Sequence, residues 1–166
     1  MGFLIGINPT DTYTTEQLEN SGVSFGLGDA GETHEGNKYV WVKAGTGGVG
    51  ANDAVAIDEV YTALKLEDDY ANAGHKVGVA PVAIAASSYG WVQVRGVCSL
   101  NVAGAYAADA SLYTTSTAGT LDDAVTTTES RIYGLVGTAS ATTGATTVAA
   151  FMAIEPFAQA ENTGGA

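Results

Sequence analysis

The sequence is short of the residues on which catalytic and metal sites are most often built. Its 166 residues contain one cysteine and two histidines. A single cysteine excludes an intrachain disulfide, and the place of Cys98 in the strand-like run 97–102 indicates a small buried side chain rather than a nucleophile. His34 and His75 each lie in a polar, glycine-rich stretch without a second ligand at metal-binding spacing. We therefore predict neither a metal ion nor another cofactor.

Positive charge is also scarce. Six Lys and Arg residues face eighteen Asp and Glu residues, for a formal net charge of −12. This balance repels phosphate backbones and anionic membranes, so we expect no direct binding to nucleic acid and no membrane association. No segment approaches the roughly 18 apolar residues of a membrane helix. Basic protein partners fit the charge better.

Other catalytic patterns are missing. The glycine-rich segment 45–50 lacks the Gly-Lys-Ser/Thr ending of a phosphate loop, and the acidic segment 67–69 lacks the spacing of an EF-hand. No Gly-x-Ser-x-Gly sequence occurs. A carboxylate pair for glycoside hydrolysis is a spatial arrangement, and nothing in the sequence indicates one. We predict that the protein is not an enzyme.

After residue 37 the chain contains a succession of short segments with the alternating side-chain pattern of β-strands. Glycine, serine and aspartate turns separate them, a spacing typical of an antiparallel barrel or sandwich. The predicted strands are 38–44, 54–58, 60–66, 76–85, 86–97, 99–103, 111–115, 131–139 and 145–154. The sequence therefore predicts an all-β fold with one β-domain at 38–154.

Two of these strands carry an aromatic face. In the strand 86–97, the odd-numbered positions from Tyr89 to Arg95 project to one side, while Val92 and Val94 project to the other. The aliphatic side suits a core, whereas aromatic rings and a guanidinium often anchor protein contacts. The predicted oligomer-interface residues are Tyr39, Trp41, Tyr89, Trp91 and Arg95. The alternative is that the tryptophan rings pack inside the domain.

The two ends of the chain lack this pattern. Residues 1–37 contain six acidic residues and no Lys or Arg, and their apolar residues are too scattered for a core of their own. We predict an extended N-terminal arm, largely outside the core, with one short helical turn at 15–19 that stops at Ser21 and Gly22. Residues 155–166 contain helix stoppers and small residues, and we predict a flexible tail.

Four segments together resemble a known family. They are Lys-Val-Gly-Val-Ala at 76–80, Tyr-Gly-Trp-Val-Gln-Val-Arg-Gly at 89–96, Ser-Leu-Tyr-Thr-Thr with Gly-Thr-Leu at 111–121, and Ile-Tyr-Gly-Leu-Val at 132–136. Over about residues 38–153, the chain resembles the capsid decoration, or cement, proteins of tailed bacteriophages. The resemblance implies a β-barrel-like or β-tulip-like domain, often trimeric, on the outer surface of an icosahedral head.

In this interpretation the partners are the major capsid protein, whose contacts the protein stabilises, and further copies of the chain, most simply in a homotrimer. The acidic arm would attach to the capsid, and its candidate capsid-binding residues are Phe3, Leu4, Ile5, Ile7 and Tyr13. The β-domain would then stay folded when residues 1–25 are deleted.

Two other functions compete with this one. The first is a structural protein associated with the phage tail tube or fibre. The second is a carbohydrate-binding β-sandwich in which Trp41, Tyr89 and Trp91 stack on sugars.

Overall fold

A computed structural model describes residues 7–23, 25–68, 75–124, 129–142 and 146–160. These residues form one eleven-stranded sheet and one short helix, which confirms the all-β prediction. The elements are β1 (Thr12–Tyr13), α1 (Thr15–Ser21), β2 (Ala30–Glu32), β3 (Lys38–Ala44), β4 (Ala54–Ile57), β5 (Thr62–Lys65), β6 (Lys76–Val79), β7 (Tyr89–Val102), β8 (Leu112–Thr114), β9 (Leu121–Asp122), β10 (Ser130–Gly137) and β11 (Thr146–Ala160).

The long strand β7 organises the sheet, which is ring-like. One circuit of paired strands runs from β7 through β3, β5, β4 and β6 and returns to β7. The second runs from β7 through β9, β8, β10 and β11 and also returns to β7. The pairs β3–β5 and β7–β9 are parallel, and the other pairs are antiparallel. The predicted strands 86–97 and 99–103 are thus one continuous strand that serves both circuits.

Alternation along the strands distributes the apolar side chains between two cores. On β4, Ala54 and Ala56 belong to the core of the second circuit, and Val55 and Ile57 to the core of the first. Both faces of this strand are therefore buried, which explains its uninterrupted apolar sequence. The first core contains Val40, Val42, Ala44, Val49, Val55, Ile57, Ala63, Ala80, Ile84, Val92 and Val94.

The N-terminal segment packs against the outside of β3 and β7. Strand β1 pairs with β7, and β2 pairs with β3. Helix α1 begins with a capping box at Thr14 and ends at Gly22, which has a φ of 70°, so the short helical turn is confirmed. None of the described residues of this segment is fully buried, but Ile7, Tyr13, Leu18 and Phe25 pack half-buried against the outer face of β3 and β7. Local sequence patterns do not show which distant face such scattered apolar residues cover.

The C-terminal end also differs from the prediction. Strand β11 continues to Ala160, so residues 155–160 are not a flexible tail. Pro156 does not end the strand, because it lies in a bulge where residues 153–156 stand opposite Gly134 alone. A proline is tolerated at a bulge because no ladder hydrogen bond is needed there. Residues 161–166 lie outside the described part of the chain.

Candidate functional site

Three of the five predicted interface residues are inside the protein. Tyr39, Trp41 and Trp91 are 6%, 0% and 1% exposed. They form a cluster on the outer face of β3 and β7 that the N-terminal segment covers. The prediction that these three side chains contact another copy is wrong, because the chain itself occupies their surface. The same burial removes Trp41 and Trp91 as a stacking platform for sugars.

The cover over the two tryptophans is aromatic. The ring centroid of Phe25 lies 5.3 Å from that of Trp41 and 4.9 Å from that of Trp91. The two indoles meet edge to face at 4.9 Å, and Tyr13 lies 6.1 Å from Trp41. Such tilted and edge-to-face pairs are favourable beyond their buried area. Both indole Nε1 atoms are buried without a hydrogen-bond partner in the described ranges.

The other predicted site residues that the structure describes are either half-buried or exposed to solvent. Tyr89 is half-buried under the Lys43 ammonium, which lies 5.4 Å from its ring centroid. Arg95 is exposed. Of the predicted capsid-binding residues, Ile7 and Tyr13 are half-buried against the tryptophan cluster. The remaining three, Phe3, Leu4 and Ile5, lie outside the described residues.

A different surface carries exposed apolar side chains. Val97, Phe151, Ile154 and Phe157 are 63%, 41%, 56% and 39% exposed. Val97 on β7 and Phe151 on β11 are direct partners across the strand pair, and the Phe157 ring stacks on Tyr133 of β10 with centroids 5.3 Å apart. We call these four residues the apolar strip. Exposed apolar side chains gathered on neighbouring strands make this surface a candidate contact site.

One residue of the strip, Ile154, lies in the bulge of β11 opposite Gly134. Gly134 has a φ of 83°, a conformation that glycine adopts without strain. A Cβ at this position would lie 2.6 Å from Cγ1 of Ile154, so Ile154 packs directly over the glycine backbone. The bulge therefore needs a residue without a side chain on β10. It places Ile154 on the surface between Phe151 and Phe157.

Basic residues border the strip. Glu155 forms ion pairs with Lys38 and Lys76, the second at 2.7 Å. The hydrogen bond from Lys38, then that from Lys76, lowers the pKa of the Glu155 carboxyl. Arg131 lies over the Tyr133 ring at 5.0 Å, and Arg95 is the strand partner of Lys38. Four of the six basic residues of an acidic chain thus lie around one apolar surface: Lys38, Lys76, Arg95 and Arg131.

A cleft of about 340 Å³ adjoins the strip at Val97. Gln93, which is 4% exposed, lines it and donates hydrogen bonds to the carbonyl oxygens of Arg95 and Val97 at 3.1 and 2.8 Å. Cys98 lines it as well, and burial raises the pKa of its thiol to about 12. The thiol therefore stays protonated at neutral pH and is a poor nucleophile.

A second polar cluster lies at the start of β4. The Asp53 carboxylate is 7% exposed and accepts hydrogen bonds from the Gly50 amide at 2.7 Å and from Asn101 Nδ2 at 3.0 Å. Lys65 Nζ lies 3.3 Å from Asp53 Oδ2, the oxygen that also accepts the hydrogen bond from Gly50. Three separate parts of the chain, around residues 50, 65 and 101, therefore meet at one carboxylate. Within the described ranges, no three His, Cys, Asp or Glu side chains form a possible metal-binding group.

Comparison with known proteins does not extend these observations. No protein-family model matches the chain, and no curated protein matches it either. No helix in the described part of the chain is long and apolar enough to cross a membrane. The apolar strip was not apparent from the sequence, because Phe151 and Met152 are adjacent apolar residues that give no alternation and the predicted strand ended at residue 154.

Proposed function

We propose that the chain is a non-enzymatic capsid decoration protein of a tailed bacteriophage. It would lie on the outer surface of the head, associate with further copies of itself and stabilise contacts between major capsid proteins. The proposal combines the resemblance of segments 76–80, 89–96, 111–121 and 132–136 to that family with one structural observation. That observation is the apolar strip with its basic border.

The strip supports a function in protein contact. Its side chains are between 39% and 63% exposed, so each retains roughly half of its surface in water. Burying the remainder would contribute about 1 kcal/mol per side chain, or about 4 kcal/mol in all before the costs of association. The residues lie on paired strands, which hold them in place before binding. Association therefore loses little backbone entropy.

We assign the strip to the contact between copies of the chain. The argument is charge complementarity. Lys38, Lys76 and Arg95 lie near two acidic residues, Glu155 and Glu32, the second of which is the strand partner of Lys38. The three basic residues outnumber these two acidic residues. The whole chain has eighteen acidic residues and a formal net charge of −12. A second copy thus offers both apolar and acidic surface, and opposite charges favour and orient such an encounter.

Capsid attachment remains assigned to Phe3, Leu4 and Ile5 on sequence grounds. Ile7 and Tyr13 are less suitable anchors than the sequence indicates, because both contact the domain's own tryptophan cluster. Apolar anchors would carry more affinity than the acidic residues near them, since an exposed ion pair contributes about 1 kcal/mol or less.

The self-association claim is tested by light scattering on the purified chain. We expect an oligomer, with a trimer as the state that the resemblance implies. A Phe151→Ser, Ile154→Ser double variant should shift it toward monomer. Val60→Ser is the matched control, since Val60 is 60% exposed but lies outside the strip. A monomeric wild-type chain, or an oligomer that the double variant leaves intact, would contradict this assignment.

The functional claim is tested by electron microscopy of particles from a phage that carries the gene. We expect density for the chain on the outside of the head, and loss of that density when the gene is deleted. Replacing Phe3, Leu4 and Ile5 with serine should reduce occupancy. Density on the tail instead would support the tail-associated alternative, and absence from the particle would overturn the proposal.

A further inference from the structure

We propose that Lys65 and Asn101 form an intramolecular isopeptide bond, with Asp53 as the proton carrier. The side chains come from three places that are distant in sequence: the residue before β4, the end of β5 and the second half of β7. This inference is independent of capsid decoration. It concerns the covalent chemistry of the chain alone.

The geometry brings an amine and a carboxamide to the two oxygens of one carboxylate. Lys65 Nζ lies 3.3 Å from Asp53 Oδ2, and Asn101 Nδ2 lies 3.0 Å from Asp53 Oδ1. A lysine side chain is flexible enough to move from Asp53 Oδ2 toward Oδ1, the oxygen that holds the Asn101 amide nitrogen. Holding the two reacting groups together removes the entropic cost of their encounter.

The amide is oriented and polarised for attack. The hydroxyl of Thr147 donates a hydrogen bond to Asn101 Oδ1 at 2.8 Å, and Asn101 Nδ2 donates to the carbonyl oxygen of Ala51 at 2.9 Å. A donor on the amide oxygen stabilises the negative charge that develops there when a nucleophile adds to the carbon. The bond to Ala51 fixes the plane of the amide.

The chain shields the carboxylate from solvent. Asp53 is 7% exposed, and a Cβ on Gly119 would lie 2.6 Å from Asp53 Cγ, so the backbone at residue 119 passes directly over the carboxyl group. A side chain at this position would displace the carboxylate. The Lys65 side chain is 40% exposed, which leaves its side of the cluster open to solvent.

The reaction balances without an oxidant or a cofactor. Asp53 accepts a proton from the Lys65 ammonium, and the neutral Nζ attacks Cγ of Asn101. The Nζ–Cγ bond forms and the Cγ–Nδ2 bond breaks. Asp53 returns its proton to the departing nitrogen and accepts the second proton of Nζ, which then passes to solvent. One ammonia molecule leaves. The product is an amide that joins β5 to β7, two strands of the first circuit that do not pair with each other.

Intact-mass spectrometry of the full chain tests the proposal. We expect a species lighter than the sequence mass by one ammonia, increasing on alkaline incubation because the base takes up the proton that the reaction releases. Digestion should yield a branched peptide containing Lys65 and Asn101. The absence of that peptide from the wild-type chain, both fresh and after alkaline incubation, overturns the proposal whatever the variants do.

Variants separate the cross-link from cyclisation of an asparagine, which also releases ammonia. Lys65→Arg keeps the positive charge but should abolish the mass loss, and Asp53→Asn should abolish or greatly slow it. Lys43→Arg is the matched control and should leave it unchanged. Mass loss that persists in Lys65→Arg, or that hydroxylamine removes by cleaving the chain, identifies a cyclic imide and contradicts the isopeptide bond.

Discussion

Replacing Phe25 with alanine should destabilise the protein, because this ring covers both tryptophans. Phe25 is half-buried, and its centroid lies 5.3 and 4.9 Å from the rings of Trp41 and Trp91. A fully buried Phe→Ala change costs about 3–5 kcal/mol, so the half-buried ring accounts for about 2 kcal/mol. The two aromatic pairs add about 0.5 kcal/mol each at the lower end of their range. We expect a loss of about 3 kcal/mol.

Urea unfolding followed by tryptophan fluorescence measures this loss directly. The chain has two tryptophans, and both lie in the cluster, so the emission reports on the site of the change. A loss of about 3 kcal/mol corresponds to a fall in Tm of about 6–12 °C for a chain of this size. The emission should also move to longer wavelength in the folded variant, since the indoles gain contact with water.

A nearby surface change provides the control. Leu27 is 43% exposed and lies two residues from Phe25, so Leu27→Ala should change stability by less than about 1 kcal/mol. Deleting residues 1–25 should destabilise the domain at least as much as Phe25→Ala, because it also removes Tyr13 and Leu18 from the cluster. A Phe25→Ala variant with wild-type stability and emission would show that the N-terminal segment does not cover the tryptophans in solution.

Three further predictions concern other parts of the fold. Glu155→Gln should lower the free energy of unfolding at pH 7 by about 1 kcal/mol or less, because the ion pairs of Glu155 with Lys38 and Lys76 are partly exposed. The two lysines lower the pKa of Glu155, so these pairs stabilise the protein at pH values above the ordinary glutamate range. The difference in Tm between variant and wild type should therefore disappear as the pH falls through the lowered pKa of Glu155. Cys98, with a pKa of about 12, should resist a thiol reagent at pH 8 in the native protein and react once urea unfolds it, so rapid native labelling would contradict its burial. Gly78→Ala should lower the free energy of unfolding in urea by about 1–3 kcal/mol, because its Cβ would lie 2.8 Å from the Gln93 carbonyl oxygen. The control Gly47→Ala should be nearly neutral, because no atom lies within 4 Å of its Cβ. Equal effects of the two changes would refute the close contact between Gly78 and Gln93.

Much of the fold could be predicted from local pattern. The strand at 38–44 coincides with β3, and the alternation in β7 places Val92 and Val94 in a core and Trp91 on the opposite face, as expected. The helical turn that stops at Gly22 is also confirmed. These features depend on residues within one or two turns or pleats of each other, where side-chain direction follows directly from the backbone period.

The candidate sites depend on contacts that no local pattern contains. The aromatic face predicted as an interface is buried because Tyr13 and Phe25, distant in sequence, cover it. The apolar strip requires Val97 to pair with Phe151 and a bulge opposite Gly134. The cluster at Asp53 requires a lysine and an asparagine that lie 12 and 48 residues further along the chain.

The sequence by itself determined most of the strands after residue 37, the two chemically different faces of β3 and β7, and a net charge of −12. Only the tertiary structure decided which of these faces meets solvent and which side chains meet each other. The physical reason is that a period of two residues fixes the direction of each side chain along a strand, while the partner on either face is set by long-range strand pairing. The same alternation therefore produced a buried tryptophan cluster under the N-terminal segment and an exposed apolar strip at Val97, Phe151, Ile154 and Phe157.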